Sequence, residues 1–192
     1  MAPWNILCTI TSYPPAIGGA QSHTHQLLRR LAPRHHVQVA AFWNQNRTDW
    51  LLGTTIAAPT EPHAYTVDGI AVQQITWSRR ERGRLLPWVL AYYVAKTPAI
   101  AAISAGLLPK LQALMPDCDL VYNARIGREP LSFASLALAR RRQVPFVFVP
   151  YHHPRWVGWN YRQYLDLYRQ ADAVMALTPH ERQTLIELGV KP

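Results

Sequence analysis

Short apolar runs and amphipathic stretches take turns along this chain, and their order predicts strands and helices in alternation. Asn5 to Ile10 is an apolar run of strand length, closed by Tyr13-Pro14-Pro15 and a Gly18-Gly19 pair. A helix follows from Ala20 to Leu31. Its Ala20, Thr24, Leu27, Leu28 and Leu31 share one face at helical spacing, and Arg29 and Arg30 sit near the end, where cations suit the dipole. Val37 to Phe42 predicts a buried strand, with a polar loop after it. Tyr65 to Val67 and Ile70 to Val72 flank Asp68-Gly69, which predicts a hairpin. Trp77 to Arg84 reads as a basic loop, with Arg79, Arg80, Arg82 and Arg84 around Glu81.

Two helical stretches come next, split at Pro98; Ile100, Ile103, Leu107, Leu111 and Leu114 form the stripe of the second. Asp119 to Tyr122 predicts a strand and Leu131 to Arg142 a helix. Val144 to Val149 is a near-continuous apolar strand of the kind buried in parallel sheets. Ala173 to Leu177 predicts the last strand. Thr178-Pro179-x-Glu181 reads as a capping box with proline at the first helical position, and Gly189 ends that helix. The alternation predicts an α/β fold: a doubly wound, mostly parallel, Rossmann-like sheet with Asn5 to Ile10 central and ligands at the carboxyl ends of the strands.

Length and composition narrow this picture. The 192 residues suit one such domain, and 49% hydrophobic against 16% charged residues excludes global disorder. The formal net charge of +9 points to an anionic partner. The basic residues are scattered and no nucleic-acid motif accompanies them, so nucleic acid is not expected. Cys8 and Cys118 lie in or beside apolar runs without metal spacing, which predicts two buried thiols and a reducing, cytoplasmic setting. Leu85 to Leu108 is broken by Pro87, Lys96 and Pro98, so no membrane-crossing segment is expected there.

Candidate chemistry gathers at predicted strand ends. Gly18 and Gly19 precede a helix N-terminus, where bare backbone N–H groups attract anions; Gln21 follows. The same pair also serves as a tight turn. It is not a dinucleotide fingerprint: no third glycine follows, and Phe42-Trp43-Asn44 stands where a ribose-binding acid belongs. His152 and His153 follow the Val144 to Val149 strand, where an imidazole can hydrogen-bond a ligand or stabilise developing charge, or simply close the loop. Asn123 and Arg125 follow the Asp119 strand and read as cleft-lining or as solvated loop residues. Arg140, Arg141 and Arg142 read as a dipole-matched helix end. Trp156 and Trp159 stack on sugar or lipid, or tuck under the following helix. Trp77, Arg79, Arg80, Arg82, Arg84 and Trp88 have the chemistry of an interfacial patch on an anionic membrane surface, or of a solvated basic loop. No metal site is expected.

Together these stretches resemble the N-terminal domain of retaining glycosyltransferases with the GT-B fold, family 4. Tyr13-Pro-Pro with Gly18-Gly19 resembles the glycine-rich first loop. His36-Val-Gln-Val resembles the second strand, although His35 stands where the family has a glycine. Pro145-Phe-Val-Phe-Val-Pro-Tyr-His152-His153-Pro resembles the strand and histidine turn, and Ala171 to Val190 the end-of-domain segment. The resemblance implies that residues 1–192 are the acceptor-side half of a two-domain enzyme, with His152 at the active-site histidine position. It implies backbone contact of Gly18 and Gly19 with donor diphosphate or acceptor. The donor would be a nucleotide sugar, used without a cofactor, and the acceptor a sugar, lipid-linked or other hydroxyl compound. The donor-binding domain that follows such a tail in the family is not in this sequence. The expected location is cytoplasmic, peripheral on the inner face of the membrane. The competing reading is a nucleotide-binding regulatory module of Rossmann-like fold without catalysis.

Overall fold

A computed structural model describes residues 2–47, 50–125, 130–153 and 161–192. Seven strands form one sheet in the order β3-β4-β2-β1-β5-β6-β7. They are β1 (Asn5–Ser12), β2 (His36–Trp43), β3 (Ala64–Val67), β4 (Ile70–Gln74), β5 (Leu120–Ala124), β6 (Phe146–Val149) and β7 (Ala173–Val174). Every pairing is parallel except β3 with β4. β1 lies at the centre between β2 and β5, as its unbroken apolar run requires.

Alternation along the strands divides the core. Leu7, Ala40, Phe42, Val121, Phe146 and Phe148 pack on one face with α3 (Arg79–Ala91), α4 (Lys96–Leu114), α5 (Leu131–Arg142) and α6 (Arg162–Gln170). Ile6, Cys8, Ile10, Val39, Ala41 and Tyr122 face the other way, against Leu28 of α1 (Gly19–Leu31). α2 (Trp50–Gly53) and α7 (Pro179–Glu187) complete the chain. Cys8 and Cys118 are buried and unpaired, and burial pushes both thiols up from their ordinary value. No helix is long and apolar enough to cross a membrane among the described residues.

The hairpin forms as its turn dictates, with Asp68 and Gly69 both at positive φ, 49° and 81°. Its Asp68 carboxylate meets His25 Nε2 at 3.1 Å, and His25 Nδ1 meets the hydroxyl of buried Tyr13 at 2.7 Å. That chain ties the hairpin, α1 and the Pro14-Pro15 turn together.

The stretch expected as a basic loop is helical. Ser78 caps α3 by accepting from the Glu81 N–H, and the Glu81 carboxylate returns to the Ser78 N–H at 2.8 Å. The break between the two helices falls before Lys96, so Pro98 lies in the first turn of α4, where its missing N–H costs no bond. β7 is two residues long, shorter than the apolar run suggests, and Met175 to Thr178 carry the chain out to α7.

Candidate functional site

Three chain turns converge at the carboxyl edge of the sheet. The first leaves β1 through residues 13–18 and enters α1 with Gly18 as the N-cap. Gly18 offers no side chain to cap this helix and no acid lies in its first turn, so no carboxylate neutralises its N-terminal dipole from within the helix. A Cβ on Gly19 would meet nothing within 4 Å. On Gly18 it would fall 2.3 Å from Gln21 Oε1, because the Gln21 amide folds back over that residue.

The second turn leaves β6 through Pro150, Tyr151 and His152. Tyr151 has φ 44°, a left-handed conformation that a bulky residue adopts only when its surroundings hold it there. The hold comes from α1: the Tyr151 hydroxyl donates to the Ala20 carbonyl at 3.1 Å, and His23 Nδ1 and Thr24 Oγ1 lie 2.9 and 3.0 Å away. The histidine turn is thereby fastened one residue from Gly19.

His152 follows, half-buried. Its N–H donates to Glu181 Oε1 at 2.7 Å, and Glu181 Oε2 accepts the Leu177 N–H at the same distance. The third turn, from β7 into α7, thus fixes the second. Thr178 caps α7 by accepting from the Glu181 N–H at 3.0 Å, but the Glu181 carboxylate spans two loops instead of returning to its own cap. Tyr151, His152, Leu177, Thr178 and His180 line a depression of about 350 Å³ here.

The ring of His152 has one engaged and one open nitrogen. Nδ1 lies 3.3 Å from the Tyr168 hydroxyl on α6, while Nε2 is buried with no partner among the described residues. Tyr168 in turn accepts from a guanidinium nitrogen of Arg125, which is fully buried 4.5 Å over the Tyr164 ring. An arginine only donates, so the Tyr168 proton is free to point at His152 Nδ1; in that arrangement Nδ1 accepts and Nε2 carries the ring proton. Burial first, and the Arg125 charge second, hold the imidazole below its ordinary 6.5, in the neutral form. Among the described residues, Ser12 Oγ at the end of β1, Asn123 Oδ1 near the end of β5 and Ser132 Oγ in the first turn of α5 are also buried without a partner. Buried polar atoms left open are rare, and those at the carboxyl edge are groups that a polar ligand could satisfy.

The family model for the glycosyl transferase 4-like domain matches residues 18–192. The chain belongs to that family. This glycosyl transferase 4-like domain also shares its fold with solved trehalose phosphate synthases. They include the α,α-trehalose 6-phosphate synthase from Burkholderia multivorans (TM-score 0.54, 15% identity) and the UDP-forming enzyme from Burkholderia vietnamiensis (0.52, 12%). An apo structure of OtsA gives 0.56 at 14% identity. The alignments cover 96–98% of this chain but only 42–43% of those chains. No protein of curated function matches the sequence.

Within the glycosyl transferase 4-like domain, the residues singled out from sequence divide into two groups. Gly18, Gly19, Gln21, His152 and the exposed His153 come together at the carboxyl edge. Asn123 and Arg125 are neither solvated nor in open view. Asn123 is buried and donates to Thr9 Oγ1 at 2.8 Å, and Arg125 lies beneath His152. Trp77 does not belong to a surface patch: it is 1% exposed, its indole donates to the Thr54 carbonyl at 2.9 Å, and Lys110 sits over its ring. Arg82 turns back to the Ala58 carbonyl, whereas Arg79, Arg80, Arg84 and Trp88 are exposed. Trp156 and Trp159 lie outside the described residues. Sequence reasoning missed Tyr151, Tyr168 and the second role of Glu181. Only Glu181 carried a local signal, its place in the cap.

Proposed function

We propose that this chain is the acceptor-side half of a retaining glycosyltransferase that uses a nucleotide sugar, and that His152 acts on the transferring sugar. One observation carries the reading: a neutral imidazole, one nitrogen of which has no partner among the described residues, on the turn that Tyr151 fastens to the start of α1. Transfer builds positive charge on the sugar ring and negative charge on the departing phosphate. The α1 N-terminus suits the phosphate, since no acid lies in its first turn and Gly19 leaves room for close approach. The proton on His152 Nε2 suits a sugar hydroxyl or the leaving oxygen, and a ring held by Tyr168 and Glu181 needs no reorganisation to give that bond. In this reading the donor-binding half lies outside these 192 residues and closes over the carboxyl edge.

The test is His152→Ala in the two-domain enzyme. Turnover falls roughly 10²- to 10⁴-fold, the range for a positioned proton-handling group. His153→Ala costs far less, because that side chain is exposed beyond the held turn. Near-normal turnover in His152→Ala overturns the assignment.

A further inference from the structure

The outward face of α3 is apolar where a surface helix is ordinarily polar. Leu86, Trp88, Leu90, Tyr93 and Val94 are 46, 39, 73, 59 and 90% exposed, so most of the large exposed hydrophobics among the described residues fall within one short stretch. Leu86 and Leu90 lie one turn apart on a face next to the buried stripe of Leu85 and Val89, and Tyr93 and Val94 follow in the turn after the helix. Arg79, Arg80 and Arg84 are exposed on the preceding turns of the same helix. Its one acid is spoken for: Glu81 is bound by Lys110 at 2.7 Å and by Ser78. The result is a cationic first half and an apolar second half, ending at the turn into α4.

That turn lies on the side of the sheet that carries His152. Beneath exposed Tyr93, the Tyr92 hydroxyl meets that of Tyr164 at 2.6 Å; Arg125 covers Tyr164, and Tyr168 joins Arg125 to His152. Thr97, three residues past Val94, opens an apolar groove of about 420 Å³ between α4 and α5, lined by Ile100, Ala101, Leu108 and Phe133.

We propose that α3 and its turn into α4 dock in the plane of an anionic lipid bilayer, with Leu86, Leu90, Tyr93 and Val94 at the acyl boundary and the three arginines on the head groups. Charge selects this occupant. A second copy would set one arginine-bearing face against another, whereas an anionic surface answers all three, each worth about fivefold in partitioning. Aromatic and aliphatic side chains beside arginine on a helix too short to span are the pattern of an interfacial element. Docking in this way brings the carboxyl edge near the surface; the further step, that the acceptor is lipid-linked, rests on the glycosyltransferase reading.

The test is co-sedimentation of the 192-residue chain with phosphatidylcholine vesicles, with and without phosphatidylglycerol. Binding requires the anionic lipid and weakens with salt. Replacing the arginines (Arg79→Gln, Arg80→Gln, Arg84→Gln) lowers partitioning about 100-fold. Leu90→Asp with Val94→Asp abolishes it, while circular dichroism and thermal unfolding stay unchanged because these side chains are exposed. Equal binding to neutral vesicles, or full binding by Leu90→Asp with Val94→Asp, overturns the proposal. So does a dimer in sedimentation equilibrium that this double variant dissolves, which assigns the face to a second copy. None of these outcomes touches sugar transfer, so the two readings fail separately.

Discussion

At the scale of single residues, the protonation of His152 is set from beneath. Arg125 occupies one lone pair of the Tyr168 hydroxyl and frees its proton for Nδ1, so the ring proton is expected on Nε2. Because burial and Arg125 lower the value of His152 below 6.5, the neutral ring survives as pH falls through 6.5. Its contribution to stability is complete above 6.5 and is lost as pH drops toward the lowered folded value. The acid limb of transfer therefore lies below pH 6.5 in the intact enzyme, as a pH profile of turnover will check. Tyr168→Phe removes the proton aimed at Nδ1 and admits the other tautomer. Turnover falls roughly tenfold, about the worth of one hydrogen bond to a positioned group. Nitrogen-15 spectra of labelled histidine read the tautomer directly; an unchanged Nε2–H signal in Tyr168→Phe would show that Tyr168 does not set it. His152 itself was legible in sequence, as the residue after a buried strand. Its partners were not, since Tyr168 is remote in the chain and carries no motif.

At the scale of elements, Glu181 joins the β6–α6 and β7–α7 connections through two backbone N–H groups. Glu181→Ala leaves the part-buried His152 N–H without its acceptor, frees the exposed Leu177 N–H and removes an acid from the first turn of α7. A loss of about 2 kcal/mol is expected in denaturant unfolding, with Glu181→Gln milder because its amide oxygen still accepts one bond. Unchanged unfolding of Glu181→Ala would show that the tie contributes nothing. α3 holds the contrary lesson. Its capping box stands in the sequence at Ser78 and Glu81, yet the density of arginine made the stretch read as a loop. Propensity favours the helix, since arginine is a good helix former once the N-terminus is capped. The inward turn of Trp77 had no local mark at all: its ring fills the space over Gly106, where an added Cβ would lie 2.9 Å away.

At the scale of the whole molecule, Gly18, Gly19 and His152 gather on one edge, while the chain spans 42–43% of the solved chains whose fold it shares. If the donor half lies elsewhere, this chain alone binds nucleotide sugars weakly and turns none over. Calorimetric titration with several of them checks this, and micromolar affinity would favour the nucleotide-binding module instead. The sequence by itself determined the order of strands and helices, the hairpin at Asp68-Gly69, the central place of β1 and the carboxyl edge at which Gly18, Gly19 and His152 gather. Those follow from periodicity and turn chemistry, which act over a few residues. Only the tertiary structure decided that Asn123, Arg125 and Trp77 are interior, that Tyr151 is held left-handed by α1, and that Leu90 and Val94 face outward. Burial and partnership of a polar or aromatic side chain depend on contacts made across the sheet, between residues such as Tyr151 and Ala20 that lie 131 positions apart. No local pattern encodes such a contact.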